Sequence, residues 1–129
     1  MTRIESEHCA VNHPQVEVFQ FLKDMNNIEV LLPQDRISDW QSTEEQCSFK
    51  IQGTATISLI KVEQTSNENI KLKSGENSPF PFELVIYISQ KGDASEAHLI
   101  FEGEINAFLK MMVVKPLTNL FNYMANKVD

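Results

Sequence analysis

Near residue 106 the hydrophobic period of this chain changes. Before that point, Phe80, Phe82, Leu84, Ile86 and Ile88 occupy every second position, and Leu99, Phe101, Gly103 and Ile105 do so again. Period-two spacing belongs to strands with one buried face. After it, Leu109, Val113, Leu117, Leu120, Met124 and Val128 recur at helical spacing. Phe108, Met111, Met112, Phe121 and Tyr123 widen that stripe well beyond one face. A helix from about residue 107 to 127, rising about 1.5 Å per residue, is roughly 30 Å long. A ten-residue strand at about 3.3 Å per residue has a similar length. One helix can therefore lie along a whole sheet.

The rest of the chain supplies the sheet. Ile4 to Val11 reads as extended, but Ile4 and Val11 have opposite parity. Burying both requires a bulge or sharp twist between them, so the face taken by His8 stays open. Asn12-His13-Pro14 starts a helix, with Asn12 or His13 as cap and Pro14 in the first turn. Val16, Phe19 and Leu22 form its apolar stripe, with Phe21 nearby. A second short helix, about Asn27 to Leu32, ends before Pro33.

Strands follow. Arg36–Ser42 carries Ile37 and Trp40. In Gln46–Gln52, Cys47, Phe49 and Ile51 share one face. Gly53 marks a turn or bulge, and Thr54–Gln64 is rich in β-branched residues. Asn67-Glu68-Asn69 and Lys91-Gly92-Asp93 are tight turns, and residues 74–79 form a polar loop. Strands joined by short turns make an antiparallel meander. The expectation is one α+β domain over residues 1–129: a sheet of about six or seven strands around a long C-terminal helix, with two short helices after the first strand. Pro116 falls inside that helix, where a proline costs about 3 kcal/mol, so a kink is expected.

Composition narrows the function classes. Eleven basic and 18 acidic residues leave a formal charge of −7. Such a surface is repelled by phosphate backbones and anionic lipids. No basic, apolar leader and no membrane-length apolar run is present, so the expected setting is cytoplasmic, without nucleic acid or membrane insertion. Cys9 and Cys47, with no CxxC, read as free core thiols. Four glycines exclude GxGxxG and P-loop patterns, and no GxSxG elbow occurs. No cofactor is expected.

The ordered set of local signatures resembles a known family. A first strand leads into Asn-His-Pro-Gln-Val-Glu-Val-Phe-Gln-Phe-Leu-Lys-Asp at residues 12–24. Asn27 and Leu31-Leu32-Pro33 follow, and the chain closes with Gly103-Glu104-Ile105-Asn106 running into Phe108-Leu109-Lys110. Together these resemble a small bacterial-type member of the START-like (SRPBCC, birch-pollen-allergen-like) helix-grip superfamily, over nearly the whole chain. The resemblance implies an apolar ligand held between the sheet and the long helix.

On that reading the ligand-binding residues are Trp40, Phe49, Phe82, Leu84, Ile86, Phe101, Met111, Met112, Tyr123 and Met124. The methionines would roof the space, because methionine adapts to varied apolar shapes. Phe80, Phe82, Leu84, Ile86, Leu99 and Phe101 would floor it. Trp40 and Tyr123 each offer one polar atom on an aromatic body, and Asn106, Asn119 and Asn122 could add hydrogen bonds. The competing reading is that the same residues simply form the core. No buried acid or base stands out, so no catalytic residue is assigned.

The reading is a non-catalytic binder of a lipid- or polyketide-like molecule. The alternatives are a cyclase or dehydratase using Trp40, Tyr123 or His8, and a ligand-free interaction module. Val85 and Tyr87 look outward and leave a homodimer open. No metal site is assigned from spacing. His8 and His98 nevertheless fall on first and last strands, near Glu102 and Glu104, in an outer patch that reads first as a solvated acidic face.

Overall fold

The computed structural model describes residues 1–51, 56–76 and 78–128. The expected turn at Gly53 and the start of the next strand at Thr54 lie outside the described residues. The elements run β1 (Thr2–Glu5), β2 (Cys9–Val11), α1 (Gln15–Leu22), a 3-10 helix (Met25–Leu31), β3 (Ile37–Ser42), β4 (Gln46–Ile51), β5 (Thr56–Thr65), β6 (Asn69–Ser74), β7 (Phe82–Lys91), β8 (Ala94–Gly103) and α2 (Ala107–Lys127). All strand pairs are antiparallel, in the order β1-β8-β7-β6-β5-β4-β3, with β2 also on β8. The meander from β3 to β8 is the expected one. The strand count is one higher than expected because the first strand is broken in two.

That break answers the parity conflict between Ile4 and Val11. Ile4 pairs with Phe101 and Val11 with Ser95, and both Ile4 and Val11 are buried. Between them, Ser6 faces Leu99: its N–H donates to the Leu99 carbonyl at 2.8 Å, and its Oγ accepts the Leu99 N–H at 2.8 Å. Cys9 faces Ala97. Glu7 and His8 therefore stand together opposite the single residue His98, the two-against-one count of a β-bulge. The Glu7 N–H donates to Asn122 Oδ1 of α2 at 2.8 Å, so the helix pins the bulge.

Turns fall where glycine and asparagine allow them. Gly92 has φ +63° in the two-residue link between β7 and β8, and Asn67 has φ +65° between β5 and β6. A Cβ on Gly103 would lie 2.8 Å from the Phe101 ring, so only glycine lets Phe82 and Phe101 meet at the end of β8.

The helices depart from the sequence reading in detail. Neither Asn12 nor His13 is the N-cap of α1. Pro14 holds that position, and its carbonyl accepts the N–H groups of Glu17 and Val18. The buried stripe of α1 is Val18, Phe19 and Leu22, whereas Val16 and Phe21 are exposed. At about 100° per residue, Val16 and Phe21 lie about 110° to either side of the centre of the arc formed by Val18, Phe19 and Leu22, so both point off the buried face. The second helix is 3-10, with Asp24 accepting from the Asn26 N–H, and it buries Met25, Ile28 and Leu31. In α2 the buried positions are Val113, Leu117, Leu120, Phe121, Met124 and Ala125, and Pro116 lies inside the helix as read. Among the described residues no helix is long and apolar enough to cross a membrane.

Candidate functional site

The inner face of the sheet is built from alternate residues of each strand. Cys47, Phe49 and Ile51 of β4, Ile57 and Leu59 of β5, Phe82, Leu84 and Ile86 of β7, and Leu99 and Phe101 of β8 all point inward and are buried. The second half of α2 lies over them. Asn106 starts that helix: its Oδ1 accepts the Leu109 N–H at 2.9 Å, so it is a cap and not a pocket residue.

The space between sheet and helix is almost full. Its cavity measures about 10 Å³ and is lined by Phe49, Ile57, Leu59, Phe82, Leu84, Phe101, Leu117, Leu120, Phe121 and Met124. That is about the room one water needs, and the walls are apolar. Aromatic rings fill it. Phe101 lies 5.2 Å from Phe82 and 5.4 Å from Phe121 between ring centroids, and 6.3 Å from Phe80 in an edge-on contact. Burial pushes the Cys47 thiol up to about 12, so it stays protonated.

Five of the expected ligand-binding residues, Phe49, Phe82, Leu84, Phe101 and Met124, converge on this filled space. Ile86 is buried in the same core. Trp40 is half-buried and stacks on Phe49 at 6.1 Å. Tyr123 is at the surface, with Lys127 Nζ 5.7 Å from its ring centre. Met111 and Met112 do not roof anything: they are 86% and 58% exposed, beside Phe108 at 72%. The first turns of α2 extend past the part of the sheet that covers its second half. Helical periodicity cannot reveal where cover ends, since it gives the direction of a side chain and not the partner.

A roomier space with an apolar lining lies elsewhere. A cleft of about 310 Å³ opens between α1, the 3-10 helix and the C-terminal end of α2. Val18, Phe21, Leu22, Val30, Leu31 and Val128 give it an apolar lining, and His13, Glu17 and Lys127 supply polar groups. His13 Nδ1 is 3.4 Å from Glu17 Oε2, one helical turn on. No chosen site residue is in this cleft. A sequence signal for it was Phe21, an apolar residue beside the expected stripe of α1 and now a wall of the cleft. No described Asp, Glu or His is buried in the core, where the buried polar residues are Ser6 and Ser95.

A sheet gripping a long C-terminal helix, with two short helices after the first strand, is the helix-grip fold. Solved structures share it across almost the whole chain. XoxI from Bacillus cereus matches with a TM-score of 0.77 at 12% identity, covering 99% of this chain and 93% of that one. A conserved protein from Geobacillus kaustophilus matches with a TM-score of 0.71 at 12% identity, covering 98% and 92%. Norcoclaurine synthase from Thalictrum flavum, solved with dopamine and hydroxybenzaldehyde, matches with a TM-score of 0.71 at 12% identity, covering 98% and 83%. No family model and no curated protein sequence matches the chain.

Proposed function

We propose that this protein binds a small apolar or amphipathic molecule without transforming it, and that the molecule sits in the cleft between α1, the 3-10 helix and the end of α2. The observation that carries this reading is a ligand-sized cleft with a mainly apolar lining beside a filled interior; the larger surface hollows, about 600 Å³ near Glu104 and Lys110 and about 430 Å³ near Gln46 and Glu76, have more polar walls. About 310 Å³ is at the lower end of what a small-molecule site offers, and about 10 Å³ beneath α2 is not a site for an organic ligand. An apolar body would lie on Phe21, Leu22, Val30 and Leu31, and a polar end would meet Lys127, Glu17 or His13.

The lack of buried acids or bases among the described core residues favours binding over catalysis. So does the placement of the residues an enzyme would need. Trp40 is on β3 and His8 beside β2, at opposite ends of the strand order, and Tyr123 is on the surface of α2. They do not converge on one substrate. A second reading, a docking module, rests on the exposed Phe108, Met111 and Met112 cluster at the start of α2.

Native mass spectrometry of the protein as expressed, followed by extraction of any retained molecule, tests the first reading. One small molecule per chain is the expected result. No retained mass in several hosts, together with no thermal shift from fatty acids or aromatic compounds, overturns it.

A further inference from the structure

The bulge between β1 and β2 does more than restore parity. It turns His8 to the outer face of the sheet, directly over its partner His98. The two imidazoles are parallel, with centroids 3.9 Å apart and planes 8° apart, and Tyr87 stacks on the far side of His98 at 5.1 Å. Two carboxylates flank His8. Glu5 Oε2 is 2.8 Å from its Nε2, and Glu96 Oε1 is 3.1 Å from its Nδ1. Arg3 holds the other oxygen of Glu5, Oε1, at 3.2 Å. Glu102 and Glu104 are not part of this cluster: Glu102 pairs across to Arg3 and Glu83 in register, and Glu104 lies beyond the end of β8.

We propose that Glu5, His8 and His98 form a surface site for a divalent transition-metal ion such as Zn²⁺, which ties the bulged first strands to β8. One ligand atom from each residue lies within 4.8 Å of the others. Two imidazole nitrogens and one carboxylate oxygen suit zinc and its neighbours rather than magnesium or calcium. Zinc takes such ligands at about 2.0–2.2 Å in a tetrahedron, which sets its ligand atoms about 3.3–3.5 Å apart. Glu5 and His8 must open by roughly half an ångström from 2.8 Å, and the His98 ring must tilt out of the stack. Glu5 and His8 are exposed enough to allow the first adjustment, and His98, partly exposed on the outer face, has to give up part of its stacking for the second. A fourth position is left to water.

The surroundings carry the second half of the argument. A metal-bound histidine normally gives its other ring N–H to a carboxylate, which fixes its orientation and raises its basicity. Glu96 is already placed to accept from His8 Nδ1 while Nε2 faces the proposed metal. Arg3 holds Glu5 Oε1, so that Oε2 is the oxygen turned toward His8 Nε2 and the proposed metal. The bulge itself is held by Ser6 on β8 and by Asn122 on α2, so His8 stands on backbone with defined partners.

The test uses the full chain carrying Cys9→Ser, which removes the one partly accessible thiol. Zinc chloride is titrated with calorimetry and with NMR of the histidine ring nitrogens. Expected is saturation at one equivalent, with His8 and His98 resonances moving together while His13 stays still, and a melting temperature that rises with zinc but not with magnesium. Glu5→Gln and His98→Ala each weaken zinc at least tenfold, and Glu96→Gln weakens it about tenfold. Melts of each variant in chelator establish that it is folded. Absence of saturable binding, movement of His13 in step with the other two, or wild-type affinity in the His98→Ala protein overturns the proposal.

Discussion

The space under α2 and the cleft beside α1 differ about thirtyfold in volume, although both are walled by leucine, phenylalanine and β-branched residues. The difference lies in what stands opposite each wall. Beneath α2, Phe49, Phe82 and Phe101 rise from the sheet and Phe121 descends from the helix, so rings meet in the middle. Between α1, the 3-10 helix and the end of α2, three helical segments meet at a corner. Phe21 and Val30 stand at the edge with no strand facing them. Fullness therefore follows from facing partners and not from hydrophobicity.

The largest expected effect breaks the filled side. Phe101→Ala removes the ring shared by Phe80, Phe82 and Phe121 and should cost about 3–5 kcal/mol in urea unfolding. A loss under about 1 kcal/mol would mean the interior is looser than its geometry. Next, Val30→Trp fills the cleft from an exposed position. It should weaken binding of anilinonaphthalene sulfonate at least tenfold, about 1.4 kcal/mol, while stability changes by no more than about 0.5 kcal/mol. Unchanged dye affinity would move the ligand site away from the cleft. Met111→Ser and Met112→Gln line neither space. Each should leave stability within about 0.5 kcal/mol and dye binding untouched.

The smallest effect concerns the outer face, in chelator-treated protein. Hydrogen bonds from Glu5 and then Glu96 raise His8 above its ordinary 6.5, whereas burial and then the nearby His8 lower His98. The His8 pair thus adds stability that is complete below about 6.5 and is lost as pH rises through the folded His8 value. Glu5 is lowered below 4.5, first by its hydrogen bond to His8. Its contribution is present above 4.5 and fades as pH falls through the lower folded value. NMR titration should show His8 releasing its proton at higher pH than His98. The reverse order would mean that the two carboxylates do not hold His8 as described.

Much of the fold was legible because alternation is local. Phe82 to Ile88 and Leu99 to Phe101 reported their buried face without any knowledge of neighbours, and the parity conflict at Ile4 and Val11 announced a bulge before its position was visible. The candidate site was less legible. Phe49, Phe82 and Phe101 were correctly placed facing inward, but whether they enclose space depends on Phe121 from a distant helix. Met111 and Met112 were misplaced over a pocket because their exposure depends on how far the sheet reaches under α2.

By itself, then, the sequence determined the elements, their order, the buried face of most strands and the need for a bulge near His8. Those follow from backbone geometry and the preference of apolar side chains for one face. Only the tertiary structure decided that the space under α2 is closed, that a cleft opens beside α1, and that His8 meets Glu5, Glu96 and His98. Each of those depends on side chains far apart in the chain reaching the same few ångströms, and no local pattern encodes that meeting.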